Sequence, residues 1–127
     1  MGKKRIFISF PIEDKSAYHH LVGQARNENS PFEFVDMGVK KPWDEKWKTN
    51  CRTKIKGCDG VIALVSKNTA SADGQLWEVG CALQEEVPVR GVHISVKERP
   101  SALPREFAGV RVVSWTWDNI ANFLDSL

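Results

Sequence analysis

A chain of 127 residues is long enough to bury ~68% of its unfolded surface in one domain and too short for two ordinary ones, so a single domain over residues 1–127 is expected. Its 42% hydrophobic and 27% charged residues are the balance of a soluble globular protein, and a formal net charge of +2 gives no electrostatic case for nucleic acid or an anionic membrane. Cys51, Cys58 and Cys81 make an odd count without C-x-x-C spacing, which excludes a disulfide framework and reads as free buried thiols in a cytoplasmic protein.

The start, Met1-Gly2-Lys3-Lys4-Arg5, is basic, but the apolar run behind it is too short for a signal peptide, and no membrane span is found. Gly2 does not read as a myristoylation site, because Ile6 stands where Ser or Thr is needed. Residues 6–10 form the first strand. Ala17, Tyr18, Leu21, Val22 and Ala25 then recur as one face of a helix opened by Asp14, read as its N-cap.

Residues 32–36 form the second strand, ended by Met37-Gly38. From 43 to 58, Trp43, Trp47, Cys51, Ile55 and Cys58 keep helical spacing, with Pro42 at the entrance; the stripe puts both indoles in the core, although Trp43, at the helix start, could instead border the crevice. Residues 61–65 lack polar alternation, as a central parallel strand does. The next helix is expected to bury Leu76, Val79, Gly80, Leu83 and Val87. Residues 89–95 form a fourth strand, and 96–109, broken by Pro100 and Pro104, hold no more than one helical turn. Residues 110–114 form the fifth strand, and Trp117, Ile120, Leu124 and Leu127 give the last helix its inner stripe. Alternating strands and helices with short connections imply right-handed βαβ units in a flavodoxin-like three-layer α/β sandwich, a five-stranded parallel sheet of order 2-1-3-4-5.

In such a sheet the ligand crevice lies beyond the carboxyl ends of the strands, where strand order reverses between the first and third. That rule selects Phe10 and Pro11, Asp36 to Gly38, Ser66 to Asn68, and the Trp77-Glu78 pair. The first loop has no glycine for a pyrophosphate turn, and no P-loop is present. A phospho-accepting receiver needs an acid where Ser66 stands and an acidic pair where Phe10 and Pro11 stand. A flavodoxin needs hydroxyls in the loop that offers Pro11, Ile12 and Glu13. His19 and His20 are adjacent on a helix and have no partner at metal spacing, so no metal is assigned.

What remains is an isolated acid, Glu78, with aromatic walls and hydroxyls. One carboxylate suffices to break the N-glycosidic bond to nicotinamide: the leaving pyridinium is already cationic, and the acid need only hold the ribose and stabilise charge on the sugar. At 100° per residue Glu78 points away from the apolar stripe, toward solvent or toward a cleft shared with a loop or a second protomer. As a solvated acid near a helix start it would gain only ~0.3–1 kcal/mol.

The ordered set Arg5-Ile6-Phe7-Ile8-Ser9-Phe10, Asp14, the run from Asp59 through Ser66 to Asn68, Trp77-Glu78-Val79-Gly80-Cys81-Ala82, and Val89-Arg90-Gly91-Val92 resembles a TIR-like domain of the short bacterial kind found in Thoeris antiphage systems. The resemblance covers nearly the whole chain. It implies an enzyme that uses NAD as substrate rather than cofactor, an NAD glycohydrolase or ADP-ribosyl cyclase. The released ADP-ribose derivative would signal to a downstream effector, and a homo-oligomer would complete the site. Glu78 matches the catalytic glutamate of the family and Phe10 its pocket residue after the first strand. Ser9, Asp36, Trp43, Ser66, Asn68 and Trp77 are the further expected substrate-binding residues. Two stretches depart from the family pattern: the loop Met37-Gly38-Val39-Lys40-Lys41-Pro42-Trp43 and the proline-broken segment after the fourth strand. Two rival readings are a catalytically silent TIR interaction module, with Trp43 and Trp77 as adhesive surface, and a nucleoside deoxyribosyltransferase-like enzyme. Ser66 and Asn68 also read as closers of a turn, and Asp36 as a solvated loop acid.

Overall fold

Strands β1 (Lys4–Ser9), β2 (Phe32–Val35), β3 (Gly60–Val65), β4 (Val89–His93) and β5 (Arg111–Ser114) form one sheet in the order β2-β1-β3-β4-β5, every neighbouring pair parallel. This is the expected flavodoxin-like topology, seen in a computed structural model that describes residues 4–30, 32–95, 97 and 99–127. Met1, Gly2 and Lys3 of the basic start, and Val96 of the proline-broken stretch, lie outside the described residues. The helices are α1 (Lys15–Asn27), α2 (Glu45–Lys56), α3 (Asp73–Gln84) and α4 (Trp117–Asp125), and single 3-10 turns occupy Ile12–Asp14, Thr69–Ser71 and Arg105–Phe107.

The period-two alternation of side chains along a strand sorts the core into two layers. Ile6, Ile8, Ile62, Leu64 and Val92 pack against Leu21 of α1 and Ile120, Phe123 and Leu124 of α4. Phe7 and Val61 point the other way, onto Trp47, Cys51 and Ile55 of α2 and Cys81 and Ala82 of α3. All six residues of β3 are buried, as its unbroken apolar run predicts for a strand covered on both faces. Truncating Ile62 to Ala at the centre of this layer costs ~2–5 kcal/mol. The three cysteines are free and buried, as expected. Burial pushes the Cys58 thiol up to about 11 and the Cys51 thiol higher still, so both stay protonated and unreactive.

Three local expectations are corrected. The second helix starts at Glu45, because Asp44 caps it by accepting from the backbone N–H groups of Lys46 at 2.8 Å and Trp47 at 3.3 Å. Pro42 and Trp43 are therefore loop residues, and Trp43 is 76% exposed, which overturns the core placement its spacing suggests and leaves the alternative position at the crevice. Asp14 sits at the first residue before α1 but makes no side-chain cap; its carboxylate is engaged elsewhere.

The third correction concerns α3. Its buried face carries Gln75, Glu78, Val79 and Ala82, whereas Leu83 is exposed and Leu76 half-buried. The helix is rotated from the phase its apolar residues suggest, because two polar side chains find partners inside the protein, which removes the usual cost of burying them.

Candidate functional site

Ser9 follows Phe7 by two positions in β1 and so faces α3, where Glu78 meets it. Phe10, the first residue past that strand, packs on the opposite face with Ile6 and Ile8. The site lies at the carboxyl ends of β1 and β3, where connections leave in opposite directions from the middle of the sheet. Glu78, expected to point outward, is 0% exposed. Ser9 Oγ donates to its Oε1 at 2.8 Å, and Lys40 Nζ donates to its Oε2 at 2.7 Å. Burial pushes the Glu78 carboxyl above the usual carboxylate range, with Lys40 and then Ser9 pulling it part of the way back.

Lys40 comes from the connection between β2 and α2. Its side chain is 8% exposed, and its ammonium lies 4.6 Å from the centroid of the Phe10 ring while ion-paired to Glu78. A cation thus sits between an aromatic face and a dry carboxylate. The lysine stem lies over the start of α3 at Gly74, where a Cβ would come within 2.8 Å of Lys40 Cβ; only a glycine lets the stem approach so closely.

The loop that delivers Lys40 is built locally. Asp36 Oδ2 accepts from the Gly38 N–H at 2.8 Å, and Gly38 adopts φ +70°, a conformation glycine reaches without strain. Tyr18 donates its hydroxyl to Asp36 Oδ1 at 3.3 Å and stacks on Phe10 with ring centroids 4.9 Å apart. The Trp47 indole N–H donates to the Val39 carbonyl at 2.6 Å, fixing the residue beside Lys40.

Beside Lys40 lies a cavity of about 190 Å³ whose lining includes Phe10, Lys40, Trp43 and Gln75. A wider cleft of about 500 Å³, with Trp77, Cys81 and Glu106 in its wall, shares Pro42, Trp43 and Asp73 with that cavity. Trp77 packs edge-on against Trp47 at 5.5 Å and lies under the Arg52 guanidinium at 5.6 Å. It borders the outer cleft rather than the acid.

The structure gathers Ser9, Phe10 and Glu78 directly and brings Trp43 to the cavity rim. It places Asp36 behind the loop, in contact with Tyr18. Ser66 and Asn68 line neither space. Ser66 Oγ donates to Asp14 Oδ2 at 2.5 Å and Asn68 Nδ2 to Asp14 Oδ1 at 3.1 Å, so these three residues tie the loop after β3 to the start of α1. This is the engagement that takes Asp14 away from capping.

Two residues of the site were missed from the sequence. Lys40 lies within the loop noted as departing from the family pattern, and its charge was the available signal. Gln75 stands three residues before Glu78, the spacing that puts two side chains on one helical face.

Among the described residues, no group of three or more His, Cys, Asp and Glu side chains is placed to hold a metal. No helix among them is long and apolar enough to cross a membrane. The family model described as Thoeris protein ThsB, TIR-like domain, matches residues 7–99. No curated protein matches the chain.

Proposed function

The chain belongs to the TIR-like domain family of the Thoeris protein ThsB and is a TIR-type defence protein; from that premise we propose that it cleaves NAD at the bond between nicotinamide and ribose. The observation that carries the proposal is the buried carboxylate of Glu78, with a cation held between it and the Phe10 ring. The positively charged half of NAD is itself a planar cation joined to a sugar carbon that gains charge as the bond breaks. In the reaction the C1′–N bond breaks, its electron pair leaves with the now neutral nicotinamide, and Glu78 stabilises the positive sugar carbon. A water or a hydroxyl or ring nitrogen of the remaining molecule then attacks that carbon and loses its proton, giving linear or cyclic ADP-ribose.

In the closed arrangement Lys40 occupies the place of that charge, so substrate enters as Lys40 withdraws with its loop. Ser9 fixes the other carboxylate oxygen, and Trp43 closes over the outer part of the substrate. A partner effector reads the product, and a second protomer engaging the loop at Val39 and Trp43 holds it open.

The test is incubation of the purified protein with NAD, dilute, concentrated, and with infected-cell lysate as activator, followed by mass spectrometry of nicotinamide and ADP-ribose products. Turnover that vanishes in Glu78→Gln supports the reading, and turnover unaffected by that change sinks it. Removing such a transition-state contact costs ~2.7–4 kcal/mol, or ~10²–10³ in rate. The exposure of Trp43 and Val39 on the loop that seals the acid favours a second reading, a TIR interaction module. Absence of turnover under every condition, with self-association that Trp43→Ala abolishes, would establish that module instead.

A further inference from the structure

Among the described residues, three buried side-chain atoms lack a hydrogen-bond partner: Ser30 Oγ, His93 Nδ1 and Gln75 Oε1. Only Gln75 is 0% exposed and also lines the cavity beside Lys40. Its Nε2 donates to the Ser9 carbonyl at 3.2 Å and to the Leu64 carbonyl at 2.6 Å. Both partners are acceptors without a proton to give. Turning the amide over would set Oε1 against two carbonyl oxygens, so the orientation is fixed by its neighbours. The side chain is therefore pinned to the ends of β1 and β3 by its nitrogen, and its oxygen is left buried, rigid and unpaired. Buried acceptors in folded proteins are almost always satisfied, so an exception beside a cavity calls for an explanation.

We propose that Gln75 Oε1 reads the leaving group, accepting a hydrogen bond from the N–H of a ring carboxamide. This specificity rests on the NAD reading above. Gln75 and Glu78 stand three residues apart on α3, which separates such side chains by ~5–6 Å. In a nicotinamide riboside unit the carboxamide and the glycosidic nitrogen occupy meta positions of one ring, a span of the same order. One turn of helix thus carries both the group that recognises the amide and the group that stands at the sugar carbon. The two backbone anchors hold Oε1 in place before substrate arrives, so little order is lost when the bond forms. An acid in place of the amide turns oxygen lone pairs toward Oε1, and a ketone leaves Oε1 dry and unpaired. A site built around one hydrogen bond rejects analogues that cannot make it.

The experiment compares kcat/KM for NAD with that for its 3-acetylpyridine and nicotinic acid analogues, on the unmodified chain and on Gln75→Leu. The expected result is a preference for NAD of ~10–100-fold over each analogue, collapsing to near parity in the variant. A second measurement requires neither catalysis nor the variant: free nicotinamide, 3-acetylpyridine and nicotinic acid are titrated into isotope-labelled protein while the Gln75 side-chain amide resonance is followed. Nicotinamide should shift that resonance at the lowest concentration.

Turnover of NAD and the acetyl analogue at equal rates would overturn the Gln75 assignment and leave the cleavage reading standing. An equal loss on all substrates in Gln75→Leu would likewise make the residue a mere anchor. Preferential nicotinamide binding without any NAD turnover would keep the assignment and sink the cleavage reading. Neither discrimination nor binding overturns both.

Discussion

The ion pair between Lys40 and Glu78 makes a demanding test of the closed site. Lys40→Met keeps most of the stem that packs on Gly74 and removes the charge. Taking away one partner of a buried pair costs ~3–5 kcal/mol, because the other charge is left uncompensated. Glu78 has an escape, which is to bind a proton. Its carboxyl is already raised by burial, and losing Lys40 raises it further. A carboxyl raised in the folded state holds a proton that the unfolded chain would release. Its contribution to stability is full below the unfolded value and is lost as pH rises through the folded one. The penalty in Lys40→Met should therefore be smallest at acid pH, where Glu78 holds its proton, and grow with pH toward the ~3–5 kcal/mol limit, where the carboxylate is forced to ionise. In a domain of this size each kcal/mol is worth ~4 °C in Tm. Urea unfolding from pH 5 to 8, on the chain, Lys40→Met, Glu78→Gln and the double variant, measures this. Glu78→Gln should rescue most of the loss, giving a coupling of ~2–3 kcal/mol at pH 8. A loss independent of pH, with additive variants, would mean that the pair does not exist in solution.

In the proposed cleavage Glu78 acts as the ionised carboxylate, so kcat/KM should climb with pH along a limb displaced above the ordinary carboxylate range while stability declines over the same interval; a limb at the usual position of ~4.3 contradicts the burial of Glu78. Phe10→Leu keeps the apolar volume and removes the aromatic face, which should lower kcat/KM by ~5–30-fold through a cation contact of ~1–2 kcal/mol while Tm moves by only a few degrees. A Tm collapse with unchanged kcat/KM would make Phe10 a core residue alone. Ser66→Ala should cost ~1–2 kcal/mol of stability by releasing the tie to Asp14 and leave KM for NAD unchanged; a raised KM would return Ser66 to the substrate.

The topology was legible because it depends on signals that repeat along the chain. The polar-free run of β3, the helical spacing around Leu21 and Ile120, and the short connections leave little choice of sheet order. The orientation of α3 was not legible by the same means. Periodicity treats Gln75 and Glu78 as solvent-seeking, and they are turned inward by partners at Ser9, Leu64 and Lys40, all distant in sequence. Strand geometry and resemblance point to Glu78 in α3, and the structure places it beside the end of β1. Its sealed state depends on a lysine in an irregular loop, for which no pattern exists. Trp43 illustrates the opposite limit: its spacing fits the stripe of α2 and favours the core, but the Asp44 cap starts the helix after it and leaves the indole outside, at the rim of the cavity.

The clip between the Trp47 indole N–H and the Val39 carbonyl also gives the molecule an optical gauge. Lys40 cannot leave Glu78 by any large loop movement without disturbing that contact, and Trp47 lies edge-on to Trp77 while Trp43 rides on the loop itself. Three of the five tryptophans therefore surround this loop, and if Lys40 withdraws as proposed, the colour and lifetime of their emission should register it in real time, with no dye attached and no product formed.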